Sequence, residues 1–233
     1  MNSKVNTAIT DAFEKGLIDR TTLLVNMPFA EEAMETAAKK GFSDRVGLHL
    51  NLTAGIPLTK EISKDPVMCN GAGEFTAEFA RNLKMRFFLP GETSRNIERE
   101  IRAQLDRFGE LGGVLWHVDS HHHVHTDPSI WRILKKVLRD YPVTSVRLGR
   151  NMYKGGNPLY HIYKALLNSS IRKFCTHHPR YFGSAADYRE YIQYRPDIGR
   201  RYDVEVMVHP AYDSRERLTD AYMGEFHELE RLH

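Results

Sequence analysis

Four segments of the sequence alternate between aliphatic and polar side chains, and this pattern constrains the fold more than any other feature. Successive side chains of a β-strand point to opposite faces, so each segment is predicted to be a strand with one aliphatic and one polar face. The segments are 46–51, 115–121, 145–149 and 203–209. Strands in an open doubly wound sheet are usually apolar on both faces. The pattern therefore favours a barrel, in which aliphatic side chains meet the outer helices and polar side chains line the mouth.

Helical segments separate these strands and complete the prediction of an α/β fold. Helices are predicted at 3–15, 28–40, 75–88, 93–111, 128–139 and 159–174. Strands that alternate with helices predict βα units and mainly parallel strands. The segment 176–186 is predicted to be irregular and 221–232 to be helical. A length of 233 residues suits one large α/β domain, so we predict a single domain over residues 1–233.

Composition excludes several classes of protein. Hydrophobic residues make up 41% and charged residues 27% of the chain, which predicts a packed core rather than disorder. The net charge of +3 is spread along the chain, so we expect no nucleic-acid partner. Cys69 and Cys175 lie far apart and indicate neither a disulfide framework nor a zinc knuckle. No apolar segment approaches the length of a membrane span, and Met1–Gly16 is too polar for a signal peptide. We therefore expect no membrane partner and a cytoplasmic location.

The stretch Leu115–Asp127, LWHVDSHHHVHTD, concentrates side chains that can bind metals or transfer protons. It holds five of the chain's 12 histidines. His117, Asp119 and His121 share one face of the predicted strand, and an acid and a histidine two residues apart can converge on a metal or a substrate. The alternative is a solvated histidine-rich turn that binds metals adventitiously. The position of this stretch at the end of a strand that is predicted to be buried favours a functional site.

Histidines also end two of the other predicted strands. His49, His121 and His209 all lie on the non-aliphatic face of their strands. Barrel enzymes place their chemistry at the carboxyl ends of the strands. We therefore predict that these three histidines lie around one cavity, the alternative being histidines that are hydrogen-bonded in the core.

Four motifs together resemble the YdjC-like carbohydrate deacetylases, the family that contains the chitooligosaccharide deacetylases. The motifs are TTLLVNMPFAEEA, VGLHLNLTAGIPLT, HVDSHHHVHTDP and EVMVHPAYD. The resemblance implies a polysaccharide-deacetylase-like (β/α) barrel, a divalent metal held by an aspartate and two histidines, and removal of acetyl groups from acetylated amino sugars. By the same resemblance, His49 and His121 match the two histidine ligands. His209 matches the histidine that is expected to act as the acid.

The chain departs from the family pattern at its start. Family members begin with an apolar strand that ends in Asp-Asp-Phe-Gly, just before the part of the family sequence that Met1–Asn6 matches. By the resemblance, one of those aspartates binds the metal and the other is a candidate base. The resemblance therefore implies a barrel that is incomplete at the N-terminus. It also implies weak metal binding and poor deacetylation by the chain as given.

Further residues have candidate roles in such a site. Asp119 shares a face with His121 and is predicted to orient a ligand from the second shell. Arg147 is predicted to hold a sugar hydroxyl or a phosphate, or else to form a surface or barrel salt bridge. His123 and His125 either line the mouth and contact substrate or are simply exposed to solvent. The metal is predicted to be Mg²⁺ or Zn²⁺, the substrate an acetylated amino sugar or oligosaccharide, and a homodimer is kept as a candidate assembly.

Two other functions remain open from the sequence. One is a catalytically inactive relic of the same fold that binds sugar or metal. The other is a different barrel metallohydrolase, such as a phosphoesterase, which explains the histidines but not the combined spacing of the motifs.

Overall fold

The structure is a computed structural model that describes residues 3–152, 157–222 and 224–225. The chain divides into two compact units. The central unit comprises Thr22–Val146, and the terminal unit combines the described residues of Met1–Thr21 and Arg147–His233. The prediction of a single domain over residues 1–233 stays a prediction.

A sheet of four strands organises the central unit. Its strands, in the order β1-β2-β3-β4, are β1 (Thr21–Leu23), β2 (Val46–Leu50), β3 (His117–Ser120) and β4 (Ser145–Val146). β2 pairs with β3 and β3 with β4, both in parallel. Gly47 allows the close approach of β2 and β3, since a Cβ atom there would lie 2.9 Å from the backbone oxygen of His117. Because the strands run parallel, the segments that follow them lie at the same edge of the sheet.

Helices of the central unit follow the predicted pattern in most places. They are α2 (Ala30–Lys40), α3 (Lys60–Ser63), α4 (Glu78–Arg81), α5 (Leu83–Phe87), α6 (Gly91–Glu110) and α7 (Pro128–Val137), with 3₁₀ helices at Ser43–Arg45, His121–Thr126 and Leu138–Asp140. α6 packs on α7, and both helices bury side chains at helical spacing. These side chains are Ile97, Ile101, Leu105 and Phe108 from α6, and Ile130, Leu134 and Val137 from α7. This stripe forms the core of the unit.

The terminal unit contains four helices and five strands among its described residues. The helices are α1 (Ser3–Glu14), α8 (Pro158–Phe174), α9 (Ala185–Ile192) and α10 (Ile198–Arg201). β5 (Tyr181–Ser184) and β6 (Val204–Met207) pair in parallel, whereas β7 (Pro210–Tyr212), β8 (Leu218–Asp220) and β9 (Gly224–Glu225) form an antiparallel sheet. Within the described parts of the chain, no helix is both long and apolar enough to cross a membrane.

Two local predictions for the terminal unit are wrong. The segment 176–186 is not irregular throughout, because Tyr181–Ser184 pairs with β6 over its full length. The segment 221–232 is not helical at its start, because Gly224–Glu225 pairs with β8. In both places pairing with another strand decides the backbone conformation: with β6 for Tyr181–Ser184 and with the neighbouring β8 for Gly224–Glu225. Residues 226–233 lie outside the described part of the chain.

A hydrogen bond between side chains joins the two ends of the chain within the terminal unit. α1 packs against β7, and the Tyr212 hydroxyl donates to the carboxylate of Asp11. This hydrogen bond raises the pKa of Tyr212 to about 12, with a smaller contribution from burial. The first helix is therefore held by a residue almost at the other end of the sequence.

Glu100 of α6 is a fully buried carboxylate that holds the loop after β2. It accepts hydrogen bonds from the backbone nitrogen of Leu58 at 3.0 Å and from the backbone nitrogen and hydroxyl of Thr59, both at 2.8 Å. Gln104 Nε2 also donates to it at 2.8 Å, and the same amide bonds both backbone groups of Asn51. A buried charge is tolerated when its oxygens are satisfied in this way. The network sets the course of the chain directly after the strand that carries His49.

Glu100→Gln is expected to destabilise the chain by about 2–4 kcal/mol, because an amide NH₂ group would face donors that now bond a carboxylate oxygen. The measurement is the free energy of unfolding in urea. Glu98→Gln is the matched control on the same helix, since its carboxylate pairs with the exposed Lys136 and with Arg102. For such surface pairs the expected loss is below about 1 kcal/mol. Equal losses for the two substitutions would contradict the role given to Glu100.

Candidate active site

Side chains from three neighbouring strands meet at His49. His49 and Asp119 are register partners in β2 and β3, and Thr22 lies on β1 beside β2. His49 Nδ1 lies 2.6 Å from Asp119 Oδ1, and the Thr22 hydroxyl donates to Asp119 Oδ2 at 3.3 Å. The side chain of Asp119 is fully buried, whereas that of His49 is 20% exposed. Because an ionised carboxylate only accepts hydrogen bonds, His49 Nδ1 is the donor to Asp119, and Nε2 is the ring nitrogen not used in this contact.

His121 follows β3 directly, and its ring lies beside that of His49. The two ring centroids are 5.7 Å apart, with an angle of 67° between the ring planes. Burial, followed by the nearby His122 and His49, lowers the pKa of His121 from 6.5 to about 4, against the opposing effect of Asp119. His121 is therefore neutral near physiological pH, and the neutral imidazole is the form that binds metals.

A left-handed turn of the backbone follows His121. His122 and His123 have positive φ angles of 52° and 55°. Residues other than glycine rarely adopt this conformation, which costs about 1–2 kcal/mol per residue. Buried contacts hold the far side of the turn: the backbone nitrogen of His125 donates to Ser120 Oγ at 2.9 Å, and His125 Nδ1 lies 2.7 Å from the same oxygen. The strain thus lies directly beside His121, as is common in functional sites.

The two histidines fit the imidazole part of a divalent-metal site. An imidazole nitrogen binds Zn²⁺ at about 2.0–2.1 Å, so two rings on one tetrahedral ion have centroids roughly 5–6 Å apart. The observed separation of the His49 and His121 ring centroids, 5.7 Å, lies in that range. Over residues 3–152, 157–222 and 224–225, no group of three His, Cys, Asp or Glu side chains is placed to hold a metal ion. The described residues therefore offer two imidazoles, one of them supported from behind by Asp119, and metal binding stays a prediction.

Arg147 is engaged in contacts within the terminal unit. Its Nε lies 2.5 Å from Glu205 Oε1, and its guanidinium carbon lies 5.1 Å from the centroid of the Phe182 ring. This ion pair is the salt bridge that the sequence left open as the alternative. Sugar or phosphate binding by Arg147 stays a prediction.

The other histidines of the turn differ in their exposure. His125 is fully buried against Ser120. This burial corrects both alternatives predicted for His125, because a fully buried side chain neither lines the mouth nor is exposed to solvent. Its imidazole is instead hydrogen-bonded to Ser120 in the interior. His123 is partly buried, with its ring centroid 6.4 Å from that of His125. Substrate contact by His123 stays a prediction.

His209 lies in the terminal unit, between β6 and β7. Its backbone nitrogen donates to the buried carboxylate of Asp220 at 2.7 Å, and its backbone oxygen accepts from Ala221 at 2.8 Å. Its ring centroid lies 4.6 Å from that of Tyr222, with the planes at 77°. The residue is exposed, and its backbone is held by the end of β8. Its role as an acid stays a prediction.

Comparison with known proteins identifies the family. The profile of the YdjC-like proteins matches residues 1–233. The chain belongs to the YdjC-like family. A carbohydrate deacetylase of Brevibacillus brevis is 32% identical to this YdjC-like protein over 210 residues, or 89% of this chain and 76% of that one. A carbohydrate deacetylase of Halalkalibacterium halodurans is 30% identical over 236 residues, or 98% and 89% of the two chains.

A solved structure supports the fold. It is a proposed cellobiose-phosphate cleavage protein from Enterococcus faecalis V583, with a TM-score of 0.65 and 24% identity over 92% of this chain and 78% of that one. At this identity the likeness shows the fold alone. The predicted fold class, a barrel-like α/β deacetylase fold with mainly parallel strands, is confirmed.

Three residues of the site were not predicted from the sequence of this YdjC-like protein. Thr22, Thr53 and His122 all contact the predicted metal ligands or their neighbours. Thr22 carried a usable sign, because it is a polar residue within the motif TTLLVNMPFAEEA. The contact between His122 and Thr53 depends on the left-handed turn, which no glycine marks in the sequence. Only the structure reveals it.

The shifted pKa of His121 predicts how the metal-free chain responds to acid. Its folded-state pKa of about 4 lies below the ordinary value of 6.5, so the unfolded chain takes up a proton first as the pH falls. Above pH 6.5 both states are neutral at His121, and between 6.5 and 4 the folded state loses stability. His121→Gln is expected to flatten this loss, measured by urea unfolding of metal-stripped protein across the window. His178→Gln, at an exposed loop position, should leave the slope unchanged, and a similar slope in wild type and His121→Gln would contradict the prediction.

Proposed function

We propose that this YdjC-like protein is a carbohydrate deacetylase that hydrolyses the acetamide of N-acetylated amino sugars or chitooligosaccharides with the help of Mg²⁺ or Zn²⁺. The observation that carries the proposal is the placement of the His49 and His121 rings, 5.7 Å apart, at the carboxyl ends of adjacent parallel strands. Family membership supports the reaction class, since the relatives from Brevibacillus brevis and Halalkalibacterium halodurans are named carbohydrate deacetylases.

The roles of the site residues follow from their contacts. Asp119 accepts a hydrogen bond from Nδ1 of His49, which fixes the ring and leaves Nε2 as the nitrogen that could bind a metal. The Thr22 hydroxyl bonds the second oxygen of Asp119 and keeps the carboxylate in place. Burial keeps His121 neutral, so its lone pair is available without loss of a proton. His49 and His121 would hold the metal, and a divalent cation polarises a carbonyl oxygen and acidifies water when bound.

Amide hydrolysis also needs a proton for the leaving amine. A histidine suits this task because its ordinary pKa lies near neutrality. We assign the role to His209, on the motif EVMVHP that it shares with the family pattern. The acid would act on the amine nitrogen as the carbon–nitrogen bond breaks, leaving acetate and a free amino sugar.

The proposal is tested by acetate release from N,N′-diacetylchitobiose after reconstitution with Mg²⁺ or Zn²⁺. Residues 1–233 and an extended form that carries an added Asp-Asp-Phe-Gly strand ahead of them are compared, because the resemblance implies that this motif supplies a metal ligand and a candidate base. A bis(p-nitrophenyl) phosphate assay runs in parallel. Turnover of the phosphodiester alone would replace the proposal with a phosphoesterase. Metal binding without turnover of either substrate by the extended form would favour the inactive relic.

A further inference from the structure

We propose that His122 and Thr53 form a positioning pair that orients the imidazole of His121. The inference depends on the proposed function only in that it takes His121 to be a metal ligand. The pair itself is defined by contacts within the central unit.

His122 contacts both His121 and the loop that follows β2. The ring centroids of His121 and His122 are 4.0 Å apart, with the planes tilted by 31°. Nδ1 of His122 lies 3.1 Å from the hydroxyl oxygen of Thr53. One flat face of the His121 ring is therefore covered by a ring that is itself tied to a second loop. The two loops are those that follow the strands carrying His49 and Asp119.

The backbone conformation at His122 explains how neighbouring rings can stack. Successive residues of an extended strand point to opposite faces, so stacking of neighbours requires a sharp turn. At His122 the φ and ψ angles of 52° and 20° supply that turn. His122 is exposed, so burial does not account for a strained conformation at this position. Strain of this kind persists where specific contacts hold it.

Thr53 is suited to anchor the exposed ring. It is buried, with 5% of its surface exposed, and its backbone nitrogen donates to Asn51 Oδ1 at 3.1 Å. The Asn51 side chain in turn bonds Ala54 and Asn26. The hydroxyl that meets His122 therefore belongs to a fixed loop. Because the His122 ring is held between the Thr53 hydroxyl and the His121 ring, it limits rotation of the His121 imidazole.

The test uses the chain of residues 1–233 and two substitutions that remove the two contacts of His122 separately. His122→Asn removes the ring, and asparagine tolerates the left-handed conformation. Thr53→Val removes only the hydroxyl. The matched control is His177→Asn, since His177 Nδ1 also lies 3.1 Å from a threonine hydroxyl, that of Thr176, but in the terminal unit. Co²⁺ affinity is measured by calorimetry, and NMR follows the His121 ring resonances in metal-free protein.

Loss of supporting contacts around a metal ligand typically weakens affinity about 10- to 100-fold. His122→Asn is expected to weaken Co²⁺ binding about tenfold and to broaden or average the His121 ring signals. Thr53→Val should weaken binding by a smaller factor, and the double variant should lose no more than His122→Asn alone, because the two residues act together. His177→Asn should match wild type.

Unchanged affinity and unchanged His121 signals in His122→Asn would overturn the proposal, as would strictly additive losses in the double variant. If His122→Asn fails to fold, the smaller substitution Thr53→Val decides through the same two measurements. If wild type binds no Co²⁺, the metal assignment of the proposed function fails, but the NMR comparison in metal-free protein still decides whether His122 orients His121.

Discussion

Replacing His49 with alanine is expected to abolish stable metal binding and to lower acetate release from N,N′-diacetylchitobiose by about 10³-fold or more. The reason is that His49 presents one of the two neighbouring imidazoles, and a bound cation contributes several kcal/mol to hydrolysis of a carbonyl group, at about 1.4 kcal/mol per factor of ten in rate. The loss should exceed that from any other substitution in the central unit except His121. Metal content by plasma emission spectroscopy and initial rates of acetate release measure it, in the more active of the original and extended forms.

The substitution Asp119→Asn tests the carboxylate that supports His49 and leaves the His49 imidazole itself in place. The substitution keeps the shape of a side chain whose Oδ1 lies 2.6 Å from His49 Nδ1, but it removes the negative charge that holds the Nδ1 proton. Affinity for the metal is expected to fall about 10- to 100-fold, as for other carboxylates behind a histidine ligand. His177→Ala, in the terminal unit, is the control. Full metal content in His49→Ala would remove His49 from the ligand set and with it the proposed site.

The meeting of His49 with Asp119 and His121 was predictable from strand periodicity. The pleat of a strand places polar residues at alternate positions on one face of the sheet. Parallel pairing then brings the carboxyl ends of the two strands to the same edge. The observed register pairs His49 with Asp119 directly. The sequence predicts that Asp119 orients a ligand, because it shares its strand face with His121. In the structure its carboxylate contacts His49, and a role behind a metal ligand stays a prediction. These features follow from the alternation within each strand together with the parallel pairing that the βα pattern predicts.

Other parts of the site depend on contacts that the pattern does not contain. The turn at His122 and His123 has positive φ angles without a glycine, so its conformation is set by surrounding contacts. Burial of His125 against Ser120 follows from that turn. β5 escaped prediction because Tyr181–Ser184 is short and is ordered by pairing with β6. Tertiary contacts overrode local preference in each case.

His209→Ala is expected to lower the turnover number by about 10²- to 10⁴-fold, the usual contribution of a general acid or base, while leaving metal content nearly intact. The reason is that His209 is assigned to protonation of the amine rather than to the metal. Its backbone is held by Asp220 and Ala221, so loss of the imidazole should leave the strand ends in place. A general acid must be protonated to act, so wild-type turnover should fall at alkaline pH, and this limb should be missing from the pH profile of His209→Ala.

Two further measurements test the assignment of His209 as the general acid. His209→Gln keeps a hydrogen-bond donor but cannot transfer a proton, so it should resemble alanine in turnover while retaining more of the substrate affinity. An activated substrate, p-nitrophenyl acetate, needs no protonation of its leaving group and should lose much less activity in both variants. Loss of metal in either variant would move His209 into the ligand set. An alkaline limb that survives the substitution would assign the proton to another group.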